Sequence, residues 1–320
     1  MAISDMKVFN KYVQEATIES LTQQVNKFNV ASNGAIVLTS EGFEGDFFER
    51  SLYAGMEAAL RRVDRYASNA TATPTALNQL QEDAVKVAGG FTISFEPSQM
   101  TWIGKNEAEA IEVISRRGAE LILKDQFNTA IKGLVSAIGN QAGATNDVSA
   151  TSGISYSALN TAHAKFGDSS MNLICQVMNG ATYHKFVGLN IANSTVLFKA
   201  ENVLIVEILG KPVVVTDSPD FYVAGTPNKY KVLSLVGGAV TVMDGNDYLS
   251  NFDMTNGKSR IEATYQVDYT FGLGIKGYSW DVANGGKSPT DAEIGTGSNW
   301  DLIQAIKSSA GVITIADADQ

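Results

Sequence analysis

The stretch EAEAIEVISRRGAELILKDQFNTAIKGLVSAI, residues 107–138, decides how the rest of the chain is read. Its apolar residues Ile111, Ile114, Leu121, Ile122, Phe127, Ile131, Leu134, Val135 and Ile138 recur at mostly three- and four-residue steps, the spacing that gives a helix one buried face. Asn106 can cap the first turn, Glu109 three positions later completes a capping box, and Gly139 follows as a left-handed stop. At about 1.5 Å per residue such a helix is ~48 Å long. A helix of that length spans a domain and serves as its spine.

On the N-terminal side, Met6, Phe9, Val13, Leu21, Val25 and Phe28 fall mostly at helical steps and predict an amphipathic arm that ends near Asn33-Gly34. A short strand is expected at residues 35–39. The segment 41–65, rich in glycine and aromatics, runs on to Arg61, Arg62 and Arg65. A polar Ala/Thr tract at 68–75 with Pro74 reads as a loop tip, and 85–95 as an extended return leg broken by Gly89-Gly90. The chain therefore makes a long excursion out and back before it enters the spine.

On the C-terminal side, residues 141–153 read as a polar linker. Short helices at 156–166 and 181–189 then alternate with apolar strands at 172–177, 203–208 and 213–216, the pattern of a compact α/β module. Two more strands are expected at 230–236 and 239–243. Beyond Asp244-Gly245 the pattern becomes strict alternation: Ile261, Ala263, Tyr265, Val267, Tyr269 and Phe271 on one face, Glu262, Gln266 and Asp268 on the other. This half-buried strand is expected to turn at Gly272-Leu273-Gly274 into residues 275–280. A Gly/Ser/Pro-rich tail follows, with a last short helix near 300–307. There is no internal repeat.

Composition narrows the function. Of 320 residues, 44% are hydrophobic and 18% charged, the balance of a globular chain able to bury a core. Lys and Arg total 24 against 34 Asp and Glu, a net charge of -10, which argues against a tight grip on phosphate backbones. One cysteine, Cys175, excludes an internal disulfide framework and a zinc site built on several thiolates, and fits a reducing cytoplasm. Residues 1–10 lack a basic start and an apolar run, and no stretch reaches the ~18 apolar residues of a membrane span.

Several motifs have a chemical reading that must be set against a structural one. Gly272-Leu273-Gly274-Ile275-Lys276-Gly277 matches a dinucleotide-binding glycine pattern, which requires a following helix; here a strand follows, and a strand turn or bulge is expected. Gly167-Asp168-Ser169 with His163 nearby is the sharpest rival reading, a serine-hydrolase site, but His163 sits in a helix only six residues before Ser169 and no second base or oxyanion loop is evident. A turn closing that helix is the expected role. His184 and Cys175 lack ligand spacing and read as packing residues. Asn69-Ala70-Thr71 and Asn193-Ser194-Thr195 fit the glycan acceptor pattern but follow no secretory signal. Arg61, Arg62 and Arg65 read as a solvated face or inter-subunit ion pairs. Phe43, Phe47, Phe48 and Tyr53 serve the loop base or anchor a neighbour, since aromatics are enriched at interface centres.

An arm, an extended loop, a spine helix, an inserted α/β module and returning strands, in that order, resemble the α+β major capsid fold of tailed bacteriophages, the Hong Kong 97 type. Local text resembles the same family in Glu41-Gly42-Phe43-Glu44-Gly45-Asp46-Phe47, Arg61-Arg62-Val63-Asp64-Arg65-Tyr66, Val85-Lys86-Val87-Ala88-Gly89-Gly90 and Phe95-Glu96-Pro97-Ser98. The likeness continues through Ile111-Glu112-Val113-Ile114-Ser115-Arg116, residues 154–170, Leu209-Gly210-Lys211-Pro212 and Tyr265-Gln266-Val267-Asp268-Tyr269 as far as Trp280.

The resemblance implies an arm (1–34), an extended loop with flanking strands (35–104), a peripheral domain with the spine helix (105–149), an axial domain (150–245), and returning peripheral strands with a C-terminal tail (246–320). It further implies a non-enzymatic subunit that forms hexamers and pentamers of an icosahedral head around double-stranded DNA, without tight specific binding of that DNA. Its partners would be other copies of itself, a portal and, where present, a decoration protein. Some relatives carry an N-terminal scaffolding domain, whereas strand-like sequence here begins by Ala35, so a separate scaffolding protein is expected. Assembly would take place in the bacterial host cytoplasm and the product would be the virion. An encapsulin-like compartment shares the fold and is the alternative. No catalytic, cofactor or metal residue is assigned; the candidate subunit-interface residues are Phe9, Val13, Phe43, Phe47, Phe48, Tyr53, Arg61, Arg62 and Arg65.

Some relatives also weld subunits by an isopeptide bond from a loop lysine. Between residues 39 and 104 the only lysine is Lys86, about ten residues behind the loop tip, so a shell held without covalent welds is expected. The apolar stripe of the arm predicts that a neighbouring subunit clasps it. Deleting residues 1–29 should therefore block shell closure in electron micrographs, and closed particles of normal stability from the truncated chain would show the arm to be dispensable.

Overall fold

The structure, a computed structural model, describes residues 29, 32–42, 47–53, 60, 62, 66, 76, 79–95, 107–193, 207–245, 247–256, 259 and 261–320. In chain order its elements are β1 (Ile36–Gly42), β2 (Phe47–Tyr53), β3 (Gln79–Phe95), helix α1 (Glu107–Gly139), β4 (Thr145–Asp147), helix α2 (Tyr156–Ala164), β5 (Leu173–Met178) and helix α3 (Gly180–Asn193). There follow β6 (Glu207–Ile208), β7 (Lys211–Val215), β8 (Tyr222–Val223), β9 (Lys229–Val236), β10 (Val240–Asp244), β11 (Leu249–Thr255), β12 (Glu262–Ile275) and β13 (Tyr278–Trp280). The chain closes with the single-turn helices α4 (Val282–Gly285) and α5 (Asp291–Ile294), then β14 (Trp300–Leu302) and β15 (Gly311–Asp317).

The strands form two main sheets. In the first, the order is β1-β10-β12-β3-β2 with β11 also on β12, all antiparallel except the β1/β10 pair. In the second, the order is β4-β15-β9-β5-β7-β6 with β8 on β9. Sheet membership cuts across the sequence division at residue 245. β10 hydrogen-bonds to β1 and β12 in the first sheet, and β15, from the C-terminal tail, lies between β4 and β9 in the second.

The expected spine is present as α1, and at 33 residues it is ~50 Å long. Its C-terminal half is buried on several sides: Ala130, Ile131, Leu134, Val135, Ala137 and Ile138 all lie in the core. That core also takes Leu38, Val85, Val242, Phe271 and Leu273 from the first sheet and Cys175, Val177, Leu233, Leu235 and Ile313 from the second, so one core serves both. Between residues 114 and 123 the helix is buried on one stripe only. Leu121 and Ile122 are successive residues about 100° apart on a helix, so both cannot occupy a narrow stripe. Ile122 takes it, and Leu121, expected inside, is 48% exposed. Asn106 lies outside the described residues.

Gly139 does not adopt the expected left-handed stop; it is the last helical residue and its φ is not positive. The Thr145 hydroxyl instead donates to the carbonyls of Ile138 (3.1 Å) and Gly139 (3.3 Å), which satisfies helix-end acceptors by a side chain. That threonine belongs to β4, inside the segment read as a polar linker. The tail likewise holds more structure than its composition announces. In place of a helix at 300–307 there are β14 and a 3₁₀ turn, Ile306–Ser308, and then β15.

Two glycine pairs read as breaks are continuous strand. β3 passes through Gly89 and Gly90 in register with Tyr269 and Asp268 of β12. β12 passes through Gly272 and Gly274, opposite Met243 and Thr241 of β10, and turns only at Gly277, where φ is +80°. The expected alternation of β12 is otherwise present: Ala263, Tyr265, Val267, Tyr269 and Phe271 are buried, while Ile261, one residue before the strand, is half exposed. The reason for Gly89 is close approach. A Cβ there would lie 2.8 Å from the Tyr269 ring and 2.9 Å from the Asp125 carboxylate of α1. Tyr269 lies over this glycine and donates its hydroxyl to Asp125 Oδ2 at 2.7 Å, which pins the spine to the sheet. Gly89→Ala should overpack this contact and cost about 1–3 kcal/mol in urea unfolding of the subunit; an unchanged midpoint would show that ring and carboxylate move aside freely.

Candidate assembly surfaces

Of the nine expected interface residues, Phe9, Val13, Phe43, Arg61 and Arg65 lie outside the described residues. Arg62 is exposed. Phe47, Phe48 and Tyr53 stand on β2, where they pair with Val85, Ala84 and Gln79 of β3. Among the described residues β2 is one of the two end strands in the order of the first sheet. Lys86, one position beyond the last β2 pair, is opposite Gly272 and makes an ion pair with Asp247 at 3.1 Å. Asp247 Oδ1 also accepts from the backbone N–H of Thr270 at 3.1 Å and from its hydroxyl, so Lys86 is tied into its own subunit.

The residues with a chemical reading are placed apart from one another or inside the core. The ring of His163, on α2, is within 3.0 Å of the Ser234 hydroxyl on β9, a bond in which the ring nitrogen and the hydroxyl can exchange roles. Its partner is therefore not Ser169. Ser169 sits in the 3₁₀ turn Gly167–Asn172 and donates its backbone N–H to Phe166, and Gly167, with φ at +58°, closes the helix as expected. Burial, aided by the charge of Lys211, lowers the His163 pKa to about 4, so the ring is neutral at pH 7. Cys175 is buried, and burial pushes its thiol up to about 11, far from the thiolate a nucleophile needs. His184 is exposed. The glycine pattern at 272–277 leads into β13 and meets no helix N-terminus. Among the described residues no group of three His, Cys, Asp or Glu side chains could hold a metal ion, and no helix is long and apolar enough to cross a membrane.

What the geometry does supply is surface suited to contact. Ile93, Leu249 and Ile261 are exposed on or beside β3, β11 and β12 of the first sheet. On the second, Met171, Leu209, Val215, Tyr222 and Val223 are exposed around β5, β7 and β8. None of these was singled out as an interface residue from the sequence. Isolated apolar residues in strand and turn patterns look the same there whether they face a core or a partner.

The two sheets, the spine helix and the returning β12 define a class, the shell subunit of the Hong Kong 97 type. The capsid asymmetric unit of cyanophage Pam1 is similar at a TM-score of 0.53, with 11% identity over 88% of each chain. A structure from Mycobacterium phage Cain is similar at 0.53, with 10% identity over 88% of this chain and 87% of the other. One from Microbacterium phage Oxtober96 gives 0.52, with 9% identity over 90% of each. At such identities the likeness is one of fold. Within that class the chain belongs to the Gp13-like family, major capsid protein 13-like, whose model matches residues 5–313. No curated protein matches the chain.

The buried His163 gives the subunit a defined acid response. Its folded pKa, about 4, is below the ordinary 6.5, so its contribution is complete above pH 6.5 and is lost as pH falls towards 4. The loss should be on the order of 2–3 kcal/mol. Urea unfolding of the unassembled subunit at pH 7 and pH 4.5 should show a steeper loss in the wild type than in His163→Gln; equal losses would mean that His163 does not carry it.

Proposed function

We propose that this chain closes, as hexamers and pentamers, into the icosahedral head of a tailed phage and encloses double-stranded DNA there. The observation that carries this reading is the family match over residues 5–313, on a chain with the corresponding fold. The role is structural and no catalytic step is assigned to any residue. The net charge of -10 suits a shell that must hold DNA loosely and release it. A separate scaffolding protein and a portal are the partners that such a shell needs, with a decoration protein as a further possibility of the family, and assembly in the host cytoplasm suits a single buried cysteine.

An encapsulin-like compartment would use the same fold around cargo enzymes. The capsid family match favours the phage head, and the contents of the particle separate the two readings. Lys86 is held by Asp247 within its own subunit, which supports a shell without lysine welds.

The test is to express the chain with its neighbouring structural genes and image the product. Closed icosahedral particles that package nuclease-resistant DNA are expected, and boiling them in detergent should release one band at 34.1 kDa. Particles that copurify with enzyme cargo and no DNA would support the compartment instead. Covalent ladders that vanish in Lys86→Ala would refute the unwelded shell.

A further inference from the structure

The hairpin joining β6 to β7 has a two-residue loop, since Ile208 pairs with Lys211. Its residues, Leu209 and Gly210, have φ values of +54° and +71°. Two left-handed residues in succession are the pattern of a type I′ turn, whose first position favours Asn, Asp or Gly because a larger L-residue crowds its own backbone there. Leucine is a poor choice for the conformation. Packing within the subunit covers it only in part, for Leu209 is 44% exposed.

A second exposed apolar side chain lies at the same end of the sheet. β5 and β7 run parallel with Gln176 opposite Val213, which brings the start of β5 level with the hairpin tip. In the turn that leads into β5, Met171 is 86% exposed. Lys211 ties the two loops together: its ammonium donates to the carbonyls of Ser170, at 3.4 Å, and Leu173. The ammonium next to the tip is thus held on backbone carbonyls. Among the described residues β6 ends the order of the second sheet, so the tip lies at an edge of that sheet.

We propose that the Leu209 tip, with Met171 at the same end of the sheet, is an assembly contact that docks on a neighbouring copy of this chain. The inference rests on the shell-subunit reading above. A subunit of a closed shell meets other copies at its edges, and copies of a chain carrying -10 repel one another unless apolar contact offsets the repulsion. An exposed leucine held in an unfavourable conformation is a place where the free subunit gives up stability, and such positions gather at functional contacts.

The test uses the full chain carrying Leu209→Asn or Met171→Gln. Asparagine suits the left-handed position, so Leu209→Asn should raise the thermal unfolding midpoint of the unassembled subunit while raising the protein concentration needed for particle formation at least tenfold. Met171→Gln should weaken assembly in the same sense and leave the midpoint unchanged. If both variants close into particles at the wild-type concentration, the contact is wrong and the shell reading stands. Should the wild type, expressed with its neighbouring structural genes, form no particles under conditions that keep it folded, the shell reading fails and the proposal fails with it.

Discussion

The structure depends on the burial of the C-terminal half of α1 against both sheets. Ile131, Leu134, Val135 and Ile138 are almost fully enclosed, and each such side chain contributes about 1.5–3 kcal/mol relative to exposure. Together that is on the order of 10 kcal/mol, comparable with the whole net stability of a typical domain. Neither sheet could lose the helix and keep its inner face dry. The second sheet has a further, smaller cluster of its own, with Ile154, Leu159, Phe186 and Val232, but its larger apolar face is shared with the spine.

Around that burial, polar contacts fix position more than they add stability. Tyr269 reaches across Gly89 to Asp125 and sets where the helix crosses β12 and β3. Glu82, almost fully buried on β3, accepts from the Gly277 N–H at 2.7 Å and from the Gln304 amide at 3.0 Å, and so holds the turn after β12 against β3. A shell subunit gains from such fasteners. Contacts at its edges load the whole body, and a body with one core deforms less than two bodies joined by a linker.

Much of this was legible in the sequence wherever period and length agreed. The nine apolar positions of residues 107–138 and the alternation of residues 261–271 each repeat often enough to exclude the other secondary structure. The failures have separate causes. A glycine inside a strand marks either a break or a close approach, and Gly89 declared itself only once Tyr269 and Asp125 were seen above it. β4 has three polar residues and is held by pairing with β15, not by its own pattern. β15 did carry a signal, Val312, Ile313, Ile315 and Ala316 around Thr314, but it sits at the end of a tail whose glycine and serine content masked it. As for contact surfaces, the aromatics of β2 stood out by type. Leu209 did not, because what distinguishes it is a backbone angle that the residue's identity does not reveal.

If one core holds both sheets, they must open together. Amide hydrogen exchange on the unassembled subunit measures this directly. The account predicts that the slowest amides of α1 between residues 126 and 138, of β12 in the first sheet, and of β9 and β15 in the second exchange as a single class and respond together to added denaturant. A second sheet that exchanges in its own faster class, while α1 and β12 stay protected, would contradict it.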